Sequence, residues 1–195
     1  MIGYEHLLCY NRVNQTLCML EIHSEIKMLN IYKSNKNYHK LFVDEKRKIE
    51  SLLSKDYVIE HIGSTSVPNL DGKGIIDILI GADSPAEVEH AAKTLLNNGH
   101  FFGRSMPNYC NRVFMASTEK DTTSGDYHLH IVLKDSKDFK NFIDVRDFLI
   151  QNPYEAKKYS YLKYKLAEKT GHDREEYKKQ KSEFIEGILQ KVNHR

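Results

Sequence analysis

The sequence predicts an α/β chain of the α+β kind: a mixed β-sheet core with flanking helices, followed by a helical C-terminal segment. Three observations predict it. Residues 75–80 (Ile-Ile-Asp-Ile-Leu-Ile) form a short apolar run interrupted by one acid, the pattern of a strand buried on both faces. Strand-like and helix-like patterns then alternate on either side of that run. From Lys137 onward the apolar residues recur at helical spacing in three consecutive stretches.

Taken in order, residues 1–30 mix polar residues with Leu7, Leu8, Leu17, Met19, Leu20, Ile22, Ile26 and Met28. They read as an N-terminal extension, with an added helix and a translation start at Met28 as open alternatives. Residues 39–54 form an amphipathic helix, with Leu41, Phe42, Ile49, Leu52 and Leu53 on one side. Residues 57–62 are a short strand that runs into the Gly63-Ser64 turn. After the apolar strand, Ser84 caps a helix and Pro85 occupies its first turn. Residues 86–97 continue that helix and Asn98-Gly99 ends it. An extended stretch opens at Phe101-Phe102. Residues 112–116 and 127–133 are strands, joined by a polar hairpin loop over 117–125. Residues 137–151 are a helix that turns Phe139, Phe142, Ile143, Val145, Phe148 and Leu149 inward. Asn152-Pro153 breaks it, and helices over 154–170 and 173–192 follow, separated by Gly171. The organisation is thus an extension (1–30), a core (31–135) and a C-terminal helical segment (136–195) packed on that core as a single domain overall.

Composition narrows the function. A chain of 195 residues, 40% hydrophobic and 29% charged, has enough material for one proper core. Lys+Arg 29 against Asp+Glu 27 leaves a net charge of +2, too balanced for sequence-independent nucleic-acid binding by bulk charge. Cys9, Cys18 and Cys110 are widely spaced and odd in number, which reads as free thiols in a reducing compartment rather than a disulfide frame. No stretch approaches the ~20 apolar residues that span a bilayer, so no membrane role is expected. The N-terminus has no positive region followed by an apolar run, and a cytoplasmic location is the expectation. The oligomeric state is not legible.

The chemistry-bearing residues cluster around the turn. Gly63 has no Cβ, so backbone there can approach a ligand closely. Ser64, Thr65 and Ser66 offer hydroxyls and amides to phosphate oxygens. Asp77, beside a buried run, needs hydrogen bonds or a divalent metal, and the alternative is a solvated strand end. His128 and His130 alternate along a strand and so share one face, placed to bind a transition metal or to supply a base; the alternative is a hydrogen-bonded, partly buried pair. Glu60 and His61 point to opposite faces, so at most one enters a site, and Glu60 is the second candidate carboxylate for a metal. Lys73 precedes the Asp77 strand, where an ammonium neutralises phosphate. Arg112 and Arg146 are candidate anion clamps, and Arg146 has Asp147 beside it as an ion-pair alternative.

A Gly-Ser turn followed by an acid on a strand resembles the nucleotidyltransferase superfamily of the DNA polymerase β type. In that pattern a second acid stands two residues after the first, so that both carboxylates face the same metals. Here that position is Leu79. A narrower resemblance covers roughly residues 31–192. Glu60-His61-Ile62-Gly63-Ser64-Thr65-Ser66-Val67-Pro68, Lys73, Ile75-Ile76-Asp77-Ile78, His128-Leu129-His130, Arg146-Asp147-Phe148-Leu149, Asn152-Pro153, Tyr161-Leu162-Lys163 and Tyr177…Lys181…Phe184-Ile185 stand in the order seen in the GrpB family, which is nucleotidyltransferase-like. Where that family has Ala-Lys-Pro, this chain has Gly72-Lys73-Gly74, which keeps the lysine and loosens the loop.

The resemblance implies a nucleotidyltransferase-like core that binds a nucleotide or other phosphorylated small molecule. Gly63 and Ser64 would hold the phosphates, with Lys163, Tyr177 and Lys181 facing the same cleft from the C-terminal helices. Asp77, aided by His130 or Glu60, would carry catalysis and a divalent metal, Mg2+ or Mn2+, with Zn2+ the ion suited to His128 and His130. Leu79 favours the other readings: a binding module that has lost its second metal carboxylate, or a histidine-dependent metal hydrolase.

Overall fold

In the computed structural model, the described residues are 30–54, 56–99, 101–105, 112–117, 127–170 and 174–194. The N-terminal extension through residue 29, the three cysteines, most of the predicted hairpin loop and Gly171 lie outside them.

The elements run α1 (Tyr38–Leu53), β1 (Val58–Ile62), a 3-10 turn (Ser64–Ser66), β2 (Ile76–Ala82), α2 (Pro85–Asn97), β3 (Phe102–Ser105), β4 (Arg112–Ala116), β5 (Tyr127–Leu133), α3 (Lys137–Gln151), α4 (Pro153–Thr170) and α5 (Arg174–Asn193). The Ser84 side chain caps α2 by accepting from the Glu87 amide, and Gly99 closes its far end at a φ of 67°. Asn152-Pro153 does more than break a helix. Asn152 ends α3, and Pro153 opens α4, where its missing N–H and fixed φ suit a first helical turn.

The five strands form one mixed sheet in the order β1-β2-β5-β4-β3. β1 and β2 are antiparallel, β2 and β5 parallel, and β4 is antiparallel to both β5 and β3. Register follows the period of two. Ile62 lies opposite Asp77, Asp77 opposite His128, Leu79 opposite His130, and His130 opposite Phe114.

Alternation divides the sheet into two faces. Ile76, Ile78, Ile80, Val113, Met115, Leu129 and Ile131 pack with Phe42, Ile49 and Leu53 of α1 and Val88, Ala91, Ala92 and Leu95 of α2. Each large side chain buried there contributes about 1.5–3 kcal/mol. On the opposite face, Ile62, Leu79 and Val132 are covered by Phe139, Phe142 and Ile143 of α3. A further cluster ties Val67 and Leu70 of the β1–β2 connection to Phe148, Leu149, Ala156, Tyr159 and Ile188 of the C-terminal helices. The helices α3, α4 and α5 therefore lean on the loop that carries the Gly-Ser turn, while Asp77, His128 and His130 lie at the other end of the second face, with Phe142 of α3 against His130.

Candidate functional site

Gly63 is where the chain leaves β1. Its φ of 71° and ψ of −166° belong to a region open to glycine almost alone. A Cβ built there would stand 2.2 Å from Asp77 Oδ2. The bare backbone thus allows the turn to lie directly against the Asp77 carboxylate. On the sheet side, Asp77 Oδ1 lies 3.4 Å from His128 Nδ1 and 3.9 Å from His130 Nε2. Burial opposes the charged carboxylate, but the hydrogen bonds and charge of His128 and His130 outweigh it and hold its pKa well below the usual range. The His130 ring lies near Phe114 (5.1 Å) and Phe142 (4.9 Å), and its Nδ1 is buried with no hydrogen-bond partner among the described residues.

The hydroxyls of the turn have separate tasks. Thr65 Oγ1 donates to the Ile75 carbonyl at 3.1 Å, so its oxygen is left to accept from His61 Nε2 at 3.0 Å. Ser66 Oγ donates to the Gly63 carbonyl at 2.7 Å. Both hydroxyls brace the loop. Ser64 Oγ instead receives Lys163 Nζ from α4 at 3.1 Å. His61 faces the core, stacked on Phe42 at 4.6 Å, and burial pulls its pKa down to about 4.

Lys163 is 2% exposed. Its ammonium also bonds the Asp71 carbonyl and sits 4.5 Å from the Tyr159 ring centroid. Burial lowers its pKa to about 7 and Lys181 adds to the effect, while Asp71 and Asp77 pull the other way. Lys181 is exposed on α5 one turn from buried Tyr177, whose hydroxyl is pushed up to about 12 mainly by burial. Lys73 lies over the Tyr177 ring, 5.0 Å from its centroid. The residue after it, Gly74, has a φ of 78° that proline cannot adopt, so Gly72-Lys73-Gly74 follows a path closed to Ala-Lys-Pro.

Two expected clamps stand apart. Arg146 Nη1 is bonded to Glu60 Oε2 at 2.6 Å and to the His61 carbonyl at 3.2 Å, and its Nε to Asp147 at 2.7 Å. It holds α3 to β1, and the same contact occupies Glu60. Arg112 is opposite Val132, four residues along β5 from His128, or roughly 13 Å at the rise of a strand. There it meets Asp138 at 3.5 Å and the Phe142 ring. The structure does not bring it to the turn.

Sequence reasoning missed Asp71. Its carboxylate accepts from Lys33 Nζ (3.0 Å), the Ser34 amide (2.9 Å) and the Tyr164 hydroxyl (3.1 Å), and its own amide donates to Ser160 Oγ (3.1 Å). Burial opposes its charge, but these partners prevail and lower its pKa. This residue fastens the Lys33-Ser34 segment and α4 to the loop before β2. Asn69, two residues earlier, has a φ of 59°, and an Asn-x-Asp-Gly turn is the one sign the sequence carried.

A divalent metal is what the fold resemblance implies. Among the described residues no group of three or more His, Cys, Asp or Glu side chains is arranged to hold an ion. Leu79, where the second carboxylate would stand, is fully buried beneath α3, and Glu60 is engaged by Arg146. A two-ion site does not fit these residues, in keeping with the expectation from Leu79 that the paired-carboxylate ligand set is lost. No helix among the described residues is long and apolar enough to cross a membrane.

The chain matches the family described as GrpB protein over residues 28–191. It is 30% identical over 182 residues to the glutamate-rich protein GrpB of Alkalihalophilus pseudofirmus, covering 92% of this chain and 98% of that protein. A UPF0157 protein of Vibrio cholerae is 32% identical over 177 residues, with 91% and 88% covered. The crystal structure of the conserved protein GrpB from Enterococcus faecalis superposes with a TM-score of 0.72 at 25% identity, covering 84% of this chain and 96% of that one. With its mixed α/β core, its Gly-Ser turn against Asp77 and its three C-terminal helices, this chain belongs to the GrpB family.

Proposed function

We propose that this protein binds a phosphorylated small molecule, a nucleotide foremost, at the Gly63-Ser64 turn, and that it does so without two-metal transfer chemistry. The observation that carries this reading is Lys163. A buried ammonium is costly unless it is paired, and this one reaches Ser64 Oγ on the turn while Lys181 on α5 acts on it as a like charge. Lys73 adds a third cation on the neighbouring loop. A phosphate group among these lysines relieves their repulsion and accepts from Lys163 and Ser64 together. Asp77, ionised on the other side of Gly63, repels an anion there and leaves the Lys163 side of the turn as the place for the phosphate. A nucleotidyl transfer that needs paired carboxylates has no second ligand, since position 79 is a core leucine.

Calorimetry with ATP, ADP and inorganic phosphate, each with and without EDTA, tests the reading. Binding persists in EDTA and takes up a proton near pH 7.5, because a bound anion raises the pKa of Lys163 from about 7. Affinity therefore falls as pH rises from 6 to 9. Lys181→Ala, an exposed change, weakens binding about three- to tenfold, in line with a loss of roughly 1 kcal/mol for one flanking charge. Absence of binding by all three probes, or affinity indifferent to both pH and Lys181→Ala, would remove the basis of the reading.

A further inference from the structure

The contact between Ser64 and Lys163 has a second chemical meaning. The Ser64 hydroxyl follows a strand and a positive-φ glycine, and so sits half-buried on a sharp corner. Lys163 Nζ lies within hydrogen-bond reach of it at 3.1 Å. That nitrogen is held in place from behind by the Asp71 carbonyl and the Tyr159 ring. The pair also has room made for it. A Cβ on Gly72 would come within 3.0 Å of Ser64 Oγ and 3.5 Å of Lys163 Nζ. A nucleophile, a base in contact with it, and a third group that orients the base are the three parts of an activated serine.

We propose that Ser64 is a nucleophile and Lys163 its general base, and that the substrate class is an activated acyl group on an anionic phosphate leaving group. Ser64 Oγ attacks the carbonyl carbon while its proton passes to Lys163 Nζ. The bond from that carbon to the phosphate oxygen breaks, and the phosphate leaves toward Lys73 and Lys181. The departing phosphate takes that proton from Lys163, whose neutral amine then accepts a proton from the water that attacks the acyl-serine and returns it to Ser64 Oγ as the carbon–Oγ bond breaks and the carboxylic acid is released. Neither an ion nor a redox partner enters the balance. The proposal rests on the anion reading only to place the leaving group, here on Lys73 and Lys181 with Lys163 left neutral toward Ser64, and the nucleophile is tested with a reagent that carries no phosphate anion.

Four groups bear on Lys163: Lys181 from α5, Asp71 from the loop, Asp77 from β2 and Tyr159 from its own helix. Burial and Lys181 prevail, so that the amine is about half neutral near pH 7. Lysine at its ordinary pKa is a poor base there.

The experiment is labelling of the full chain with a fluorophosphonate ester, followed by peptide mapping and by the rate of adduct formation. The expected adduct is on Ser64, forms at a rate that rises with pH through about 7, and is unchanged in Ser51→Ala, an exposed serine of α1 outside the turn. Lys163→Arg keeps a cation beside Ser64 but cannot take its proton, and it slows labelling at least tenfold. An adduct absent from Ser64, a rate flat between pH 5 and 9, or equal labelling in folded Lys163→Arg overturns the proposal. The wild-type pH profile decides even where the arginine variant fails to fold. Acetyl phosphate then tests the substrate: turnover to acetate that is lost in Ser64→Ala supports the class, and none overturns it. Failure of nucleotide binding with Ser64 still labelled would count against the anion reading alone.

Discussion

Replacing Gly63 with alanine separates backbone strain from a specific collision. Alanine at a φ of 71° and ψ of −166° costs about 1–3 kcal/mol in backbone energy alone. The new methyl would also stand 2.2 Å from Asp77 Oδ2 and 2.9 Å from its Cγ, far inside van der Waals contact. Asp77 must then swing away and give up its position against His128, a charged contact worth roughly 1–2 kcal/mol. The sum is about 3 kcal/mol, or roughly 10 °C in Tm for a chain of this size. Gly99→Ala is the control. Gly99 has a similar φ of 67° with nothing within 4 Å of the added methyl, so only about 1 kcal/mol of backbone cost applies. Urea unfolding of Gly63→Ala, Asp77→Ala and the double variant then closes a thermodynamic cycle. Removing the carboxylate relieves at least ~1 kcal/mol of the Gly63→Ala penalty, because the colliding atoms are gone. A Gly63→Ala cost equal to that of Gly99→Ala, or a penalty undiminished without the Asp77 carboxylate, would refute the claim that the turn and the acid are in contact.

Leu79→Asp restores the second acid of the superfamily pattern but places it among Ile62, Val132, Phe139, Phe142 and Ile143. It loses several kcal/mol in urea unfolding and gains no Mg2+ affinity by calorimetry; tight Mg2+ binding in a folded variant would show the reasoning wrong. His61 has its pKa pulled down to about 4, mainly by burial, from the unfolded value of 6.5. The unfolded chain therefore binds the extra proton in between, and the contribution of His61 is fully present above pH 6.5 and is lost as pH falls through 4. Stability drops on the order of 2 kcal/mol between pH 7.5 and 5. His61→Gln, which still reaches Thr65, flattens that dependence in urea midpoints, and an unchanged slope would refute the assignment.

What the sequence revealed and what it hid follow from the range of the interactions. The period of two settled that Asp77 and Leu79 share a face and that His128 and His130 share one, because alternation is local to each strand; that the two faces are the same follows from the register of β2 and β5. It could not say that α3 covers Leu79 and stops short of Asp77, since that depends on where a helix far along the chain lands. The hydroxyls of Ser64, Thr65 and Ser66 were equivalent as residue types. Only the fold separates the one that meets Lys163 from the two that brace the turn. Arg146 had a neighbouring acid in view, Asp147, whereas its partner Glu60 is 86 residues away.

Lys163 shows how such a residue could be found without a family pattern. Along α4 the buried positions are Ala156, Tyr159, Ser160, Lys163 and Leu166, a run of three- and four-residue steps that marks an inward stripe. Polar groups at Tyr159, Ser160 and Lys163 blur the stripe, so a count of apolar residues alone reads the helix as weakly amphipathic. The physical reading is the reverse. A lysine in register with a buried stripe has to be paired or discharged, and its own helix contributes the Tyr159 ring but not the hydrogen-bond acceptor. It must be supplied from elsewhere, here by the Ser64 hydroxyl and the Asp71 carbonyl. Misplaced polarity in an otherwise regular period is therefore the sign that points to this site.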